Sequence, residues 1–551
     1  MRPRDLARLF AGYVFLVVSV ALGVRAYVAL RPLGEGERTY VTSSWQKGKL
    51  VARDVARRLP TPSTPDRVTE VAVAEGPMWS SPFLFALALV PRRDGIFAEL
   101  DGRTAWLTVD DLLALQAYDR GTTFIDASLL VGTHRSLVLS VLAERLGANP
   151  ADVASSARLR RVRFERIEYD TPLPARGPDI DEAHVTAAIK EAASYLARNV
   201  DADGRFRYAV RATTNTSPPG YNWPRHAGAT YFLAEAAALL DDPDIRFACL
   251  RAAAAMRDEH MLACGSNTCI ADDDSADVGS SALALLAFSE IVRTGADASY
   301  RRSVVALAAF LRAQQRPDGE MMHRFDRNNA KAVNVQYPYF TGEAALALSR
   351  AHRITNDPAD LRASSRALAY LTTRAWNFFG SRYFFAEEHW TCQATADLWD
   401  RAPDAEALAF CLRWHDFQRS LQYREGETAF DADGAFGFGP LTPRVTPASS
   451  RGEAAGAALE ILRRDPSRAP DDVALALDDE LMRATAFVMR RQLRPGPRHL
   501  FADPDAVRGG MPASAVDWEL RIDSAQHAGS MMIRFLKLRR FGLLAAAPTL
   551  H

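Results

Sequence analysis

From residue 180 onward the chain consists of helical segments of two alternating kinds, and this alternation constrains the fold more than any other feature. One set is amphipathic, with Arg, Glu and Asp along one side: 181–199, 245–260, 300–315, 361–376, 405–421 and 473–492. Such helices face solvent on one side and a core on the other. The second set is small and apolar almost all round: 226–240, 278–291, 343–351, 388–398, 453–462 and 524–538. Helices of that kind must be buried on every side. Six of each in strict alternation predict a mainly α double ring, an inner barrel of six helices wrapped by six outer ones over 180–540.

The connections give the ring two unlike faces. Links from an inner to the next outer segment are short and polar, such as Asp241-Asp-Pro-Asp, Asn356-Asp-Pro and Arg401-Ala-Pro-Asp. Links from an outer to the next inner segment are mostly long and hold many of the aromatics, histidines and prolines. Long loops on a rigid scaffold are where binding and chemistry concentrate. The inner-helix N-termini point into that same face, adding free N–H groups and partial positive charge. An anionic or polyhydroxylated ligand suits it.

Each inner segment opens on a polar or aromatic cluster. In order these are Tyr221-Asn-Trp-Pro-Arg-His, Asp272-Asp-Asp-Ser-Ala-Asp, Tyr337-Pro-Tyr-Phe-Thr-Gly-Glu, Glu387-Glu-His-Trp, Ser449-Ser-Arg-Gly-Glu and Arg521-Ile-Asp-Ser-Ala-Gln-His. The groups suited to proton transfer are His226, Glu343, Glu388, His389, Glu453 and His527. Those suited to holding a ligand are Tyr221, Trp223, Arg225, Asp277, Tyr337, Tyr339, Trp390, Arg451 and Asp523, joined by His323 and Asp326 from the loop before the third inner segment. Part of this set has a plainer explanation. Asp277 and Ser449 are ordinary N-cap types, and a Glu in a first turn offsets the helix dipole. Three histidines at equivalent positions of a repeat are harder to attribute to packing.

The Gln315-Arg-Pro-Asp-Gly loop after an outer helix resembles loops that recur in α/α toroids. With the twelve-segment pattern, residues 180–540 resemble the (α/α)6 toroid superfamily of six-hairpin glycosidases, polysaccharide lyases and the helical domain of glucuronyl C5-epimerases. The resemblance implies a glycan ligand and leaves the reaction open. A hydrolase would use an acid and a base among Asp277, Glu343, Glu388, Glu453 and Asp523. A lyase or epimerase on an acidic sugar would need a cation for the sugar carboxylate, Arg225 or Arg451, and a His or Tyr as base. A non-catalytic envelope binding protein is the alternative. Asp273-Asp-Ser-Ala-Asp277 also matches the acidic motif of isoprenoid synthases, without a second metal motif beside it. No metal-ligand spacing and no cofactor motif appears.

Ahead of the ring, residues 40–170 change texture repeatedly, with strand-like runs at 68–73, 83–90, 105–109 and 161–169 and helical stretches at 109–118 and 136–146. They predict a small α+β accessory domain, open to a protein partner. Residues 1–31 read as a signal-anchor. Arg2, Arg4 and Arg8 precede the apolar run 9–24, which Arg25 and a second apolar stretch extend. The expected location is the inner membrane, single-pass, with the bulk periplasmic or extracellular. Of five cysteines, Cys264 and Cys269 flank a tetrapeptide and suit a local disulfide, while Cys249, Cys392 and Cys411 sit in helical patterns as small core residues. The 67 basic and 67 acidic residues of the 551 balance, so no overall field draws in nucleic acid.

Overall fold

A computed structural model describes residues 29–59, 66–118, 132–167, 180–374, 389–427, 432–437, 442–494 and 498–540. The chain divides into two compact units, the first reaching residue 173 and taking in two short later segments, the second holding the rest. The apolar run 9–24 and Glu388 lie outside the described residues. Among the described residues no helix is long and apolar enough to cross a membrane.

The first unit is a seven-stranded antiparallel sheet. Its strands are β1 (Arg31–Pro32), β2 (Thr39–Gln46), β3 (Lys49–Ala56), β4 (Arg67–Pro77), β5 (Asp94–Leu100), β6 (Arg103–Leu107) and β7 (Arg158–Ile167). They lie in the order β3-β2-β4-β7-β5-β6, with β1 on β4. Among the described residues four short helices accompany them: α1 (Pro82–Leu87), α2 (Val109–Ala114), α3 (Arg135–Leu146) and α4 (Pro150–Ser156). Most of the run 83–90, expected as a strand, is instead helix α1, which ends at Leu87. Pro82 sits at its first turn, where a fixed φ and a missing N–H cost nothing.

Among the described residues the second unit contains twelve long helices. The outer ones are α5 (Glu182–Arg198), α7 (Pro243–Ala255), α9 (Arg301–Ala313), α11 (Pro358–Thr373), α13 (Ala405–Arg419) and α15 (Asp471–Arg491). The inner ones are α6 (Trp223–Leu240), α8 (Val278–Arg293), α10 (Phe340–Thr355), α12 (His389–Leu398), α14 (Val445–Arg464) and α16 (Ile522–Arg540). Each inner helix packs on the next, α6 on α8, α8 on α10 and so on, and α16 packs back on α6, which closes the barrel. The fold is therefore an (α/α)6 double ring, established by its own contacts.

The short links turn as their sequences dictate. Asp241 and Asn356 take left-handed conformations that end α6 and α10, and the next residue, Asp242 or Asp357, accepts backbone N–H groups as the N-cap of the following outer helix. Small residues let the inner helices approach closely. A Cβ added at Gly279 would fall 2.3 Å from the Phe340 ring, and one at Gly452 2.2 Å from Met531 Sδ. On the opposite face the long loops pair with one another. β8 (Ala209–Arg211) joins β14 (Glu519–Arg521), tying the first loop to the last, and β11 (Ser275–Asp277), β12 (Arg324–Asp326) and β13 (Lys331–Val333) form a small sheet.

The hairpin of β9 (Met261–Cys264) and β10 (Asn267–Ile270) carries the Cys264–Cys269 disulfide. Cys392 and Cys411 are bridged as well, which corrects their reading as packed thiols. They stand on adjacent inner and outer helices, a pairing that no short sequence spacing could show. Cys249 is free and buried.

Candidate active site

The groups expected at the barrel mouth separate into a central triad, an aromatic and cationic rim, and residues held in packing or turns. In the triad, His389, the first described residue of α12, lies 5.3 Å from the His527 ring on α16. His527 Nδ1 is 2.9 Å from Glu453 Oε2 on α14. A carboxylate can only accept, so His527 donates to it through Nδ1. Burial raises the Glu453 carboxyl above the ordinary carboxylate range, and neighbouring His527 offsets only part of that rise. His389 is buried, and its two ring nitrogens have no hydrogen-bond partner among the described residues. Burial, reinforced by His527 and Arg451, holds it well below the ordinary histidine range, so it is neutral at pH 7. Trp390 packs on His389 at 4.7 Å between ring centres.

The three side chains place one donor atom each within 4.8 Å of one another, a set that could hold a metal ion. The His527–Glu453 separation is that of a hydrogen bond. Glu453 was expected in a first helical turn. Because α14 already begins at Val445, Glu453 sits eight residues further on, about 12 Å below the helix start. Its role is toward His527 rather than toward the helix dipole.

The rim lies one turn away. Asp523 accepts from Arg225 Nε at 3.0 Å and from Arg521 Nε at 2.6 Å, and Arg225 Nη1 donates to Tyr208 Oη at 2.5 Å. Two guanidinium groups sharing one carboxylate leave positive charge to spare. Tyr208, Tyr221, Trp223 and His260 follow in a contiguous aromatic row, Trp223 lying 3.7 Å from His260, and the Arg205 guanidinium lies over Tyr221 and Trp223. Arg205, Tyr208 and His260 were not singled out from the sequence, and Arg521 appeared there only as the first residue of the last cluster. They come from loop positions, from the π-helical turn that follows α7 and from a strand, and only the β8–β14 pairing brings two of these segments together.

The remaining expected residues are held otherwise. His226 is fully buried, accepting from Tyr221 Oη at 2.6 Å and donating to the Ala252 carbonyl at 2.9 Å. Burial lowers it to about 4 and raises Tyr221 to about 12, which keeps His226 neutral and the phenol protonated. His323, also lowered to about 4 by burial, accepts from Tyr337 N–H and contacts Thr341 Oγ1, both at 2.7 Å. Asp277 caps α8 through Ser280, and Asp326 holds a turn at Asn329. Glu343 is buried against Gly279, while Tyr337 and Tyr339 stand exposed. Arg451 is buried, donating to Gln418 Oε1 at 2.6 Å beneath Phe436. Of the acidic motif at 273–277, Asp274 binds Asn328 and the Asp273 carbonyl accepts from Arg327.

Fold and mouth together place the second unit among helical double rings with a polar cluster at the long-loop face. The sequence matches no family model and no curated protein. Among solved structures, the chain is similar to a D-mannose isomerase, at 13% identity and a TM-score of 0.48 over 65% of this chain and 98% of the other. It is similar to a cellobiose 2-epimerase from Bacillus thermoamylovorans, at 10% identity and 0.49 over 65% and 98%. It is also similar to an unsaturated glucuronyl hydrolase specific for heparin, at 12% identity and 0.46 over 66% and 100%.

Proposed function

We propose that the chain is a sugar-active enzyme whose barrel mouth performs histidine-based proton transfer on an acidic glycan, by elimination or epimerisation. The observation that carries this reading is the His527–Glu453 pair with neutral His389 5.3 Å from His527. His527 Nε2 would take the proton on the carbon next to the sugar carboxylate, and the electrons of that C–H bond would move onto the carboxylate. Arg225 and Arg521 would offset the charge that develops there, and Glu453 would stabilise the imidazolium through Nδ1. His389, neutral and bearing one N–H, would supply a proton. Delivered to the leaving glycosidic oxygen, as the electrons return from the carboxylate to form the ring double bond and the carbon–oxygen bond breaks, it completes elimination; inversion would instead need the proton returned by water on the opposite face of the carbon, because the two imidazoles stand side by side. The row of Tyr221 and Trp223 would stack on a neighbouring sugar.

The chain is further read as anchored in the inner membrane by residues 1–31, with its bulk exported and the 40–170 domain available to a protein partner. The two disulfides support export, since such bonds persist in oxidising compartments. A reporter fused after residue 180 should be active only in an exported form; strong cytoplasmic activity would reverse that assignment. For the chemistry, the protein is incubated in deuterated water with defined acidic and neutral oligosaccharides. Unsaturated ends or deuterium gained at one ring carbon are expected with acidic substrates alone. New reducing ends without either signal would make the enzyme a hydrolase, and no change in any sugar would leave a binding protein.

A further inference from the structure

The polar column of the barrel does not stop at the triad. One turn below His389 and His527 stand Gln393 and Ser530, and beyond them the C-terminal halves of the inner helices enclose a cavity of about 190 Å³. Arg350, Arg464, Arg534 and Lys537 line it against only two carboxylates, Glu235 and Glu460. With the adjoining chamber of about 350 Å³ included, six cations face five carboxylates among the described residues. The surplus is localised. Arg350 is paired with Asp397 at 2.5 Å and Lys537 with Glu235 at 3.3 Å, whereas Arg464 and Arg534 share Glu460, at 2.5 and 2.8 Å.

The cavity wall is also rich in hydrogen-bond donors. Gln393 Nε2 and Ser530 Oγ are buried without a partner, although Gln393 Oε1 accepts from Arg534. Unpaired buried donors are costly in a folded chain and point to an acceptor. Helix C-termini offset part of the cationic charge, since their carbonyls face this end. They leave the side-chain donors of Gln393 and Ser530 unsatisfied.

We propose that this cavity is a second ligand site, separate from the mouth, that binds a small oxyanion between Arg464 and Arg534, with Gln393 and Ser530 donating to it. The chemistry is that of a phosphate, a sulfate or a sugar carboxylate, each a multidentate acceptor for guanidinium groups. It does not depend on the reaction proposed for the mouth.

The test is thermal stability and calorimetry on the full chain with sodium phosphate, sodium sulfate or sodium glucuronate, each against sodium chloride at matched ionic strength. A saturable rise in Tm beyond that in chloride is expected from at least one of the three. Phosphate or sulfate alone would identify an inorganic ligand, and glucuronate alone one derived from a glycan. Arg534→Met should weaken binding by about tenfold or more. Ser530→Ala and the half-exposed Lys537→Met, which disturb packing less, should weaken it as well, while His527→Ala in the mouth should bind unchanged. A rise no larger than in chloride, or one of equal size and midpoint in folded Ser530→Ala and Lys537→Met, would overturn the proposal.

Discussion

Replacing Glu453 with Gln keeps the shape of the triad while removing the charge behind His527. At 2.9 Å, a carboxylate and an imidazolium attract by about 6 kcal/mol at an effective dielectric of 20. That is an upper bound of about four decades in rate if the whole attraction were felt only in the transition state. Glu453 is buried and His527 nearly so, so solvent removes only part of it. A loss of about 10²- to 10⁴-fold in kcat is therefore expected, in the range of general acid–base catalysis, with KM changed little. The assay is steady-state turnover of the acidic oligosaccharide identified in deuterated water, alongside a thermal melt. His527→Ala should cost a similar factor, and the double variant little more than either single one, because the two residues act as a unit. The reasoning fails if Glu453→Gln stays within about threefold of the parent while remaining folded, or if the two losses multiply.

Acid should destabilise the ring through histidines buried neutral. His226 and His323 are lowered to about 4, below the roughly 6.5 of an unfolded chain, so their contribution is complete above that value and is lost as pH falls toward 4. Each shift corresponds to roughly 3 kcal/mol, and urea midpoints should fall steeply between pH 6.5 and 4; a flat profile would contradict it. In denaturant without reductant, thiol titration should find only Cys249 reactive, and all five cysteines after reduction. Replacing the Cys392–Cys411 bridge by two Ala should cost about 3 kcal/mol from the loop it closes, read from denaturant midpoints. Because Glu453 and His527 already stand at hydrogen-bond distance, chelators should leave turnover unchanged; loss on chelation, restored by zinc or manganese, would reassign the triad as metal ligands.

What the sequence determined by itself was the pattern of layers. Helix burial depends on side chains three and four residues apart, so apolar-all-round and one-sided segments could be told apart locally, and their alternation implied the ring before any contact was known. The short turns at Asp241 and Asn356 were legible for the same reason, since a left-handed cap followed by an Asp N-cap is a local preference. The apolar run 9–24, read as an anchor, lies outside the described residues, and that reading rests on the sequence alone.

What lies across the barrel was decided only by tertiary structure. His226 and His527 occupy similar positions of the repeat and look alike in sequence, yet one is fixed between Tyr221 and a backbone carbonyl while the other faces Glu453, 74 residues earlier in the chain. The same holds for Cys392 and Cys411, for Arg225 and Arg521 meeting at Asp523, and for the cations gathered at the far end of the barrel. Local spacing fixes which face a side chain occupies. Its partner depends on where helix packing brings a distant segment, and so does its protonation, because the cost of charge is set by the groups and solvent that surround it.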